Sequence, residues 1–183
     1  MKSRGHLLLL GFALTAVGCS AAQRMRNAAA SATAIMYNTS GAPIGTAQIT
    51  QDQGGTVHVD IESISLPAGT HGIHFHEAGK CEGGTTPAFS TAGGHYNPMG
   101  KQHGLQNPNG PHAGDNPNID VPASGIAHVS FSTDRVTLTP GTASLFDADG
   151  SSLVIHAAAD DQVTNPSGNS GARIACGVVR ALQ

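Results

Sequence analysis

The stretch PIGTAQITQDQGGTVHVDIESI, residues 43–64, reads as two β-prone arms around a tight turn. Val57, Val59 and Ile61 alternate with His58, Asp60 and Glu62, the period that puts one set of side chains on each face of a strand. QDQGG, residues 51–55, brings two glycines to the point where a hairpin must reverse. The stretch therefore predicts two antiparallel strands.

Outward from this hairpin the same texture recurs. AIMYNT (34–39), GIHFHE (72–77), IAHVSFS (126–132), SLVIHA (152–157) and ARIACGVV (172–179) are short β-prone runs separated by Gly, Pro, Asn and Asp. With 24 glycines, 10 prolines, only 11% charged residues and no tryptophan, long charged helix faces are missing and turns are frequent. An all-β architecture follows, and 183 residues without an internal repeat suit one domain. Two stretches, 78–120 and 160–171, are dense in Gly, Pro and Asn without strand patterning. Loops of that length in a compact domain are usually functional or disordered, and the histidines of the first favour function.

The N-terminus is a separate object. Lys2 and Arg4 precede the apolar run LLLLGFALTAV (7–17), too short for an ordinary transmembrane span, and small residues lead to Cys19. Residues 1–18 read as a secretory signal and 19–33 as a flexible tether, leaving 34–183 as the folded domain. AVGC (16–19) resembles a bacterial lipobox, which would lipidate Cys19, although Ala16 stands where leucine is more usual. The alternatives are a protein exported to the cell envelope or periplasm and anchored at Cys19, and a soluble one released after an ordinary signal peptide. Removing the signal takes away Lys2 and Arg4 and lowers the formal net charge from −3 by two, to −5. A mildly acidic body excludes the electrostatics of nucleic-acid binding, and membrane contact is expected only through the anchor.

Export also frames the cysteines. With Cys19 in the export signal, Cys81 and Cys176 allow one intramolecular disulfide, in a compartment where disulfides persist. Closing so long a loop is worth about 4 kcal/mol by the chain-entropy argument. Two free buried thiols are the competing reading.

HGIHFHEAGKC, residues 71–81, carries the first chemical signal. His74 and His76 stand two apart in a strand, so both imidazoles project from one face. Alone, H-x-H also describes a wet strand face. Further candidate ligands follow: His95 in GGHYNP, His103 in GKQHG, His112 and Asp115 in GPHAGD, and His156 in LVIHAAADD. Neutral imidazoles suit copper and zinc, and an aspartate among them suits zinc.

GIHFHE, GGHYNP, HAGD, LVIHAAADD and GNSGARIACGVV, in this order, resemble the copper–zinc superoxide dismutase family over about residues 34–179. The resemblance implies a Greek-key β-sandwich, or flattened barrel, of about eight antiparallel strands with two long functional loops. It implies copper on His74, His76, His95 and His156, and zinc on His95, His103, His112 and Asp115. Asp160 would join ligands of the two metals from behind, Arg173 would attract and hydrogen-bond the anion, and His71 would brace the copper ligands. The implied reaction turns superoxide into oxygen and hydrogen peroxide, with copper changing oxidation state, zinc setting geometry and His95 carrying a proton, as an antioxidant protection of the envelope. A homodimer is one assembly the resemblance allows without deciding it. His58 and His128 are expected in surface or hydrogen-bonded roles. The insertion EGGTTPAFSTA (82–92) is similar to bacterial members, and QVTNPSGNS (162–170) lacks the charges that line the channel of some members, which leaves more of the steering to Arg173. The rivals are a family-fold protein that binds copper without dismutation, and a structural β-sandwich whose histidines are incidental.

Overall fold

The computed structural model describes Arg24 and residues 28–182, so the signal segment and Cys19 lie outside the described residues. The hairpin forms as expected: β2 (Pro43–Gln51) pairs antiparallel with β3 (Val57–Ser65), placing Ile49 opposite Val59. Before it, β1 (Ala30–Asn38) pairs with β2. β1 begins four residues inside the segment read as tether, because Ala32, Ala34 and Met36 alternate into the core while Ile35 and Tyr37 face out. Alanines that looked like linker composition are the small inward residues of a strand. Upstream, the Arg24 guanidinium donates to the Asp60 carboxylate at 2.6 Å.

The chain continues through β4 (Gly69–His71), β5 (Ile73–His76), β6 (Ile119–Val121), β7 (Ile126–Thr133), β8 (Ser152–His156), β9 (Arg173–Val178) and β10 (Arg180–Ala181). One eight-stranded antiparallel sheet runs β5-β8-β9-β1-β2-β3-β7, with β10 on β1, and β4 pairs with β6 in a second, two-stranded sheet. Non-consecutive neighbours such as β3 with β7 and β9 with β1 require the long crossovers of a Greek key. The core holds Met36, Ile49, Val59, Phe75, Leu153 and Ile155, all fully buried. Residues 78–118 contain no strand, only a short 3-10 turn (Ser90–Ala92) and isolated bridges at His95 and Asp115, and 160–171 contain no helix or strand.

A third connection, residues 134–151, is also irregular. Its turn-rich sequence shows no periodicity, yet Val136, Leu138 and Leu145 are buried as a plug. Gln51 anchors it, accepting from the Leu138 amide at 2.8 Å and the Thr137 hydroxyl at 2.9 Å.

Cys81 and Cys176 form a disulfide across 95 residues. It ties the first long loop to β9, where Phe89, Ala92, Val154 and Cys176 make a small core of their own. Replacing Cys81 with serine is expected to lower stability by about 4 kcal/mol. Denaturant unfolding under oxidising conditions checks this, and an unchanged midpoint would refute it.

Candidate metal centre

β5 is where the fold becomes chemistry. Ile73 and Phe75 point into the core, so His74 and His76 project from the opposite face, and the loops bury them there completely. One edge of β5 pairs with β8, and the first long loop satisfies the other. The Phe75 amide donates to the Gly114 carbonyl at 2.9 Å, its carbonyl accepts from the Tyr96 amide at 2.8 Å, and the Glu77 amide donates to Gly94 at 3.0 Å. Buried backbone groups need such partners, and meeting that need sets the loop's register. His95 therefore lies opposite His76, and Asp115 opposite His74. His156 arrives from the end of β8, its amide bonded to Gly72 at 2.9 Å.

Two groups of side chains result. One ligand atom each from His74, His76, His95 and His156 lies within 4.8 Å of the others, and so it is for His95, His103, His112 and Asp115. His95 belongs to both. The far nitrogen of each ring is held. His76 Nδ1 donates to the Gly93 carbonyl at 3.0 Å and His156 Nδ1 to the Gly171 carbonyl at 3.2 Å, which leaves both Nε2 lone pairs turned inward, 3.4 Å apart. His74 places Nε2 at 2.7 Å from Asp160 Oδ2 and turns Nδ1 to the group.

In the second group Asp115 is the hub. Its Oδ1 lies 2.9 Å from His95 Nδ1, 2.9 Å from His103 Nδ1 and 3.4 Å from His112 Nδ1. Its Oδ2 accepts from the amides of Gly104 at 2.8 Å and His112 at 2.9 Å. Asp160 spans the groups, reaching His74 through Oδ2 and His103 Nε2 through Oδ1 at 3.0 Å. Gly168 closes the second loop over this carboxylate at φ +61°, where a Cβ would collide with Asp160 and His103.

Burial pushes the pKa of His74 and His76 down, that of His95 to about 4 and that of His156 to about 3, so these rings are neutral donors at neutral pH. Burial also works against a charge on His103, yet hydrogen bonds to Asp115 and Asp160 raise it to about 9. Burial alone would raise Asp115 and Asp160; the histidine hydrogen bonds outweigh it and hold both carboxyls well below the usual range. Among the described residues, His74 Nδ1 and His95 Nε2 are buried without a hydrogen-bond partner, and so is His112 Nδ1, whose 3.4 Å approach to Asp115 is too poorly aligned to be one. Ring nitrogens converging without a hydrogen-bond partner, beside a fixed carboxylate, are a donor set that fits metal ions, copper among four imidazoles and zinc where the aspartate joins.

Outside the first group lies a cavity of about 500 Å³ lined by His76, Glu77, His95, Asn97, His156 and Arg173. Arg173, at the start of β9, donates to the carbonyls of Phe89 at 2.6 Å and Gly93 at 2.5 Å. Both acceptors belong to the disulfide-tied loop.

Residues 43–179 match the copper/zinc superoxide dismutase family (SODC). The chain belongs to that family. A copper–zinc superoxide dismutase of Aquifex aeolicus (strain VF5) is 44% identical over 147 residues, covering 79% of this chain and 84% of the relative. One of Deinococcus radiodurans is 40% identical over 189 residues, covering 96% and 94%. Among solved structures, a double mutant of a superoxide-dismutase-like protein from Bacillus subtilis superposes with a TM-score of 0.74 at 42% identity, covering 80% of this chain and 95% of that one. The family's copper and zinc suit the two donor groups described above.

Within this superoxide dismutase fold the remaining histidines separate cleanly. His71 sits between two carbonyls, Nδ1 at 2.7 Å from His156 O and Nε2 at 2.9 Å from Pro67 O, and joins neither donor group. His58 pairs at 3.2 Å with Asp52. Sequence reasoning did not find Glu77 or the Gly93 carbonyl. The first follows H-x-H directly and could have been noticed, whereas a backbone acceptor leaves no residue-type signal.

Proposed function

We propose that this protein converts two superoxide ions and two protons into one dioxygen and one hydrogen peroxide. The observation that carries the reading is the convergence of four neutral, individually oriented imidazoles on one point beside a cavity that Arg173 overlooks. His74, His76, His95 and His156 would hold copper, and His95, His103, His112 and Asp115 would hold zinc. Bound copper supplies one-electron redox chemistry, and zinc supplies charge and geometry without redox change.

The chain's own residues do the rest. Arg173 binds the incoming anion and orients it, a role a planar guanidinium fixed by two carbonyls can fill without rearranging. His95 Nε2, which has no hydrogen-bond partner among the described residues, is the atom that would carry a proton to the reduced substrate, with the ring kept in place through Nδ1. Asp160 keeps His74 and His103 from rotating, so both groups keep their shape together.

We extend the proposal to place. Lys2, Arg4, the apolar run to Val17 and Cys19 support export, anchoring at Cys19 and protection of the envelope from external superoxide, which crosses membranes poorly because it is charged. Among the described residues no helix is long and apolar enough to cross a membrane.

Metal analysis of the purified protein alongside a dismutase assay tests the reading. Copper and zinc with activity are expected. Copper without activity would favour a copper-binding protein, and neither metal would leave a structural β-sandwich.

A further inference from the structure

We infer that Glu77 is a positioning residue for both halves of the substrate site, acting through the single peptide group between Gly93 and Gly94. The inference rests on the proposed copper and anion roles of His76 and Arg173. The N–H of this peptide, on Gly94, donates to Glu77 Oε1 at 2.8 Å. Its C=O, on Gly93, accepts from His76 Nδ1 at 3.0 Å and from Arg173 at 2.5 Å. One rigid plane thus has a carboxylate at one end, and a candidate copper ligand and the anion-binding guanidinium at the other.

The packing around the plane is as specific as its bonds. Gly93 takes φ +74°, and a Cβ there would run into the Glu77 side chain. Glu77 also pairs through its backbone, its amide donating to the Gly94 carbonyl at 3.0 Å. The side chain therefore resists rotation of a peptide flanked by two glycines, the pair least able to hold a fixed orientation by themselves. A carboxylate on the N–H also polarises the C=O and strengthens it as an acceptor. His76 gains a fixed tautomer, with Nδ1 protonated and Nε2 facing the other imidazoles. Arg173 gains one of its two anchors, the other being Phe89.

Charge alone would act in the opposite direction. Glu77 lines the same cavity as Arg173, so its negative charge repels an incoming anion, and deleting it by simple electrostatics would tighten anion binding. Positioning and electrostatics therefore predict opposite signs for one variant.

The test compares Glu77→Ala and Glu77→Gln in the full-length metal-loaded protein, with azide as the probe and its affinity read from the visible absorption of copper. Losing the hydrogen bond should weaken azide binding about threefold to tenfold in Glu77→Ala, while Glu77→Gln, which keeps an acceptor without the charge, recovers most of the loss. Equal or tighter azide binding in Glu77→Ala overturns the inference. Exchange of the His76 Nδ1–H, followed by NMR in the metal-free protein, is the second reading. It should quicken in Glu77→Ala and return toward the native rate in Glu77→Gln, and an unchanged rate in both overturns the inference. If the unmodified protein takes up no copper, the functional reading fails, and the ring N–H measurement alone still decides the role of Glu77.

Discussion

Replacing His156 with alanine is expected to remove copper and dismutase activity together while leaving zinc in place. His156 belongs to one donor group only, with Nδ1 on the Gly171 carbonyl and Nε2 at 3.4 Å from His76 Nε2. The four groups proposed for zinc neither include it nor bond to it. Its loss opens one corner of a four-imidazole set, and the three remaining rings cannot restore the geometry because each is tied from behind, His74 by Asp160, His76 by Gly93 and His95 by Asp115. The rigidity that preorganises the site prevents its repair. Supporting partners alone are typically worth 10–100-fold in metal affinity or activity, so removing a ligand should cost at least about 100-fold in dismutation. Metal analysis and the dismutase assay on one preparation check this, with a melting curve to confirm that the fold persists. Full activity in this variant would sink the copper assignment.

The contrast between what the sequence shows and what it hides follows from the range of the interactions. The hairpin at 43–64 and the outward projection of His74 and His76 are local consequences of a two-residue period, and they are legible directly. The ligand set is legible through its short motifs, and its partition only through the family resemblance: nothing in the spacing of His95 says that its two ring nitrogens face different neighbours. That partition depends on the first loop pairing with the free edge of β5, a tertiary event that brings His95 beside His76 and Asp115 beside His74. The first four residues of β1 have the small, polar composition of a tether, and only burial of Ala32 against Ile49 gives Ala30–Thr33 a reason to be extended. Residues 134–151 were silent for a related cause: they hold a few apolar residues at no regular period, and their anchor is a glutamine more than eighty residues away. Backbone acceptors such as Gly93 and Gly171 are invisible in principle, since every residue carries the same carbonyl.

Replacing Asp115 with alanine is expected to have the larger structural cost. Its Oδ2 satisfies two buried amides, those of Gly104 and His112, and its Oδ1 gathers three imidazoles. His103, whose pKa stands at about 9 largely through Asp115 and Asp160, would keep its proton beside only one carboxylate or lose it with the site. Removing one partner from a buried, hydrogen-bonded charge set costs about 3–5 kcal/mol, well above the contribution of an exposed pair, because the remaining groups stay buried. The stability lost is present at neutral pH: the Asp115 carboxyl titrates well below its unfolded value, so its contribution is full above the unfolded pKa and fades only as pH falls through the folded one. Zinc should go with the carboxylate, and zinc binding to the native state alone adds to the difference whenever the metal is supplied. Copper should bind more weakly without vanishing, since His95 keeps Nε2 but loses the partner that orients Nδ1. Denaturation of the metal-free protein isolates the first cost, and titration with zinc isolates the second. A variant that unfolds at the native midpoint and still takes up zinc would show that Asp115 is neither the hub of the loop nor a ligand, and the division of the site into two metals would have to be redrawn.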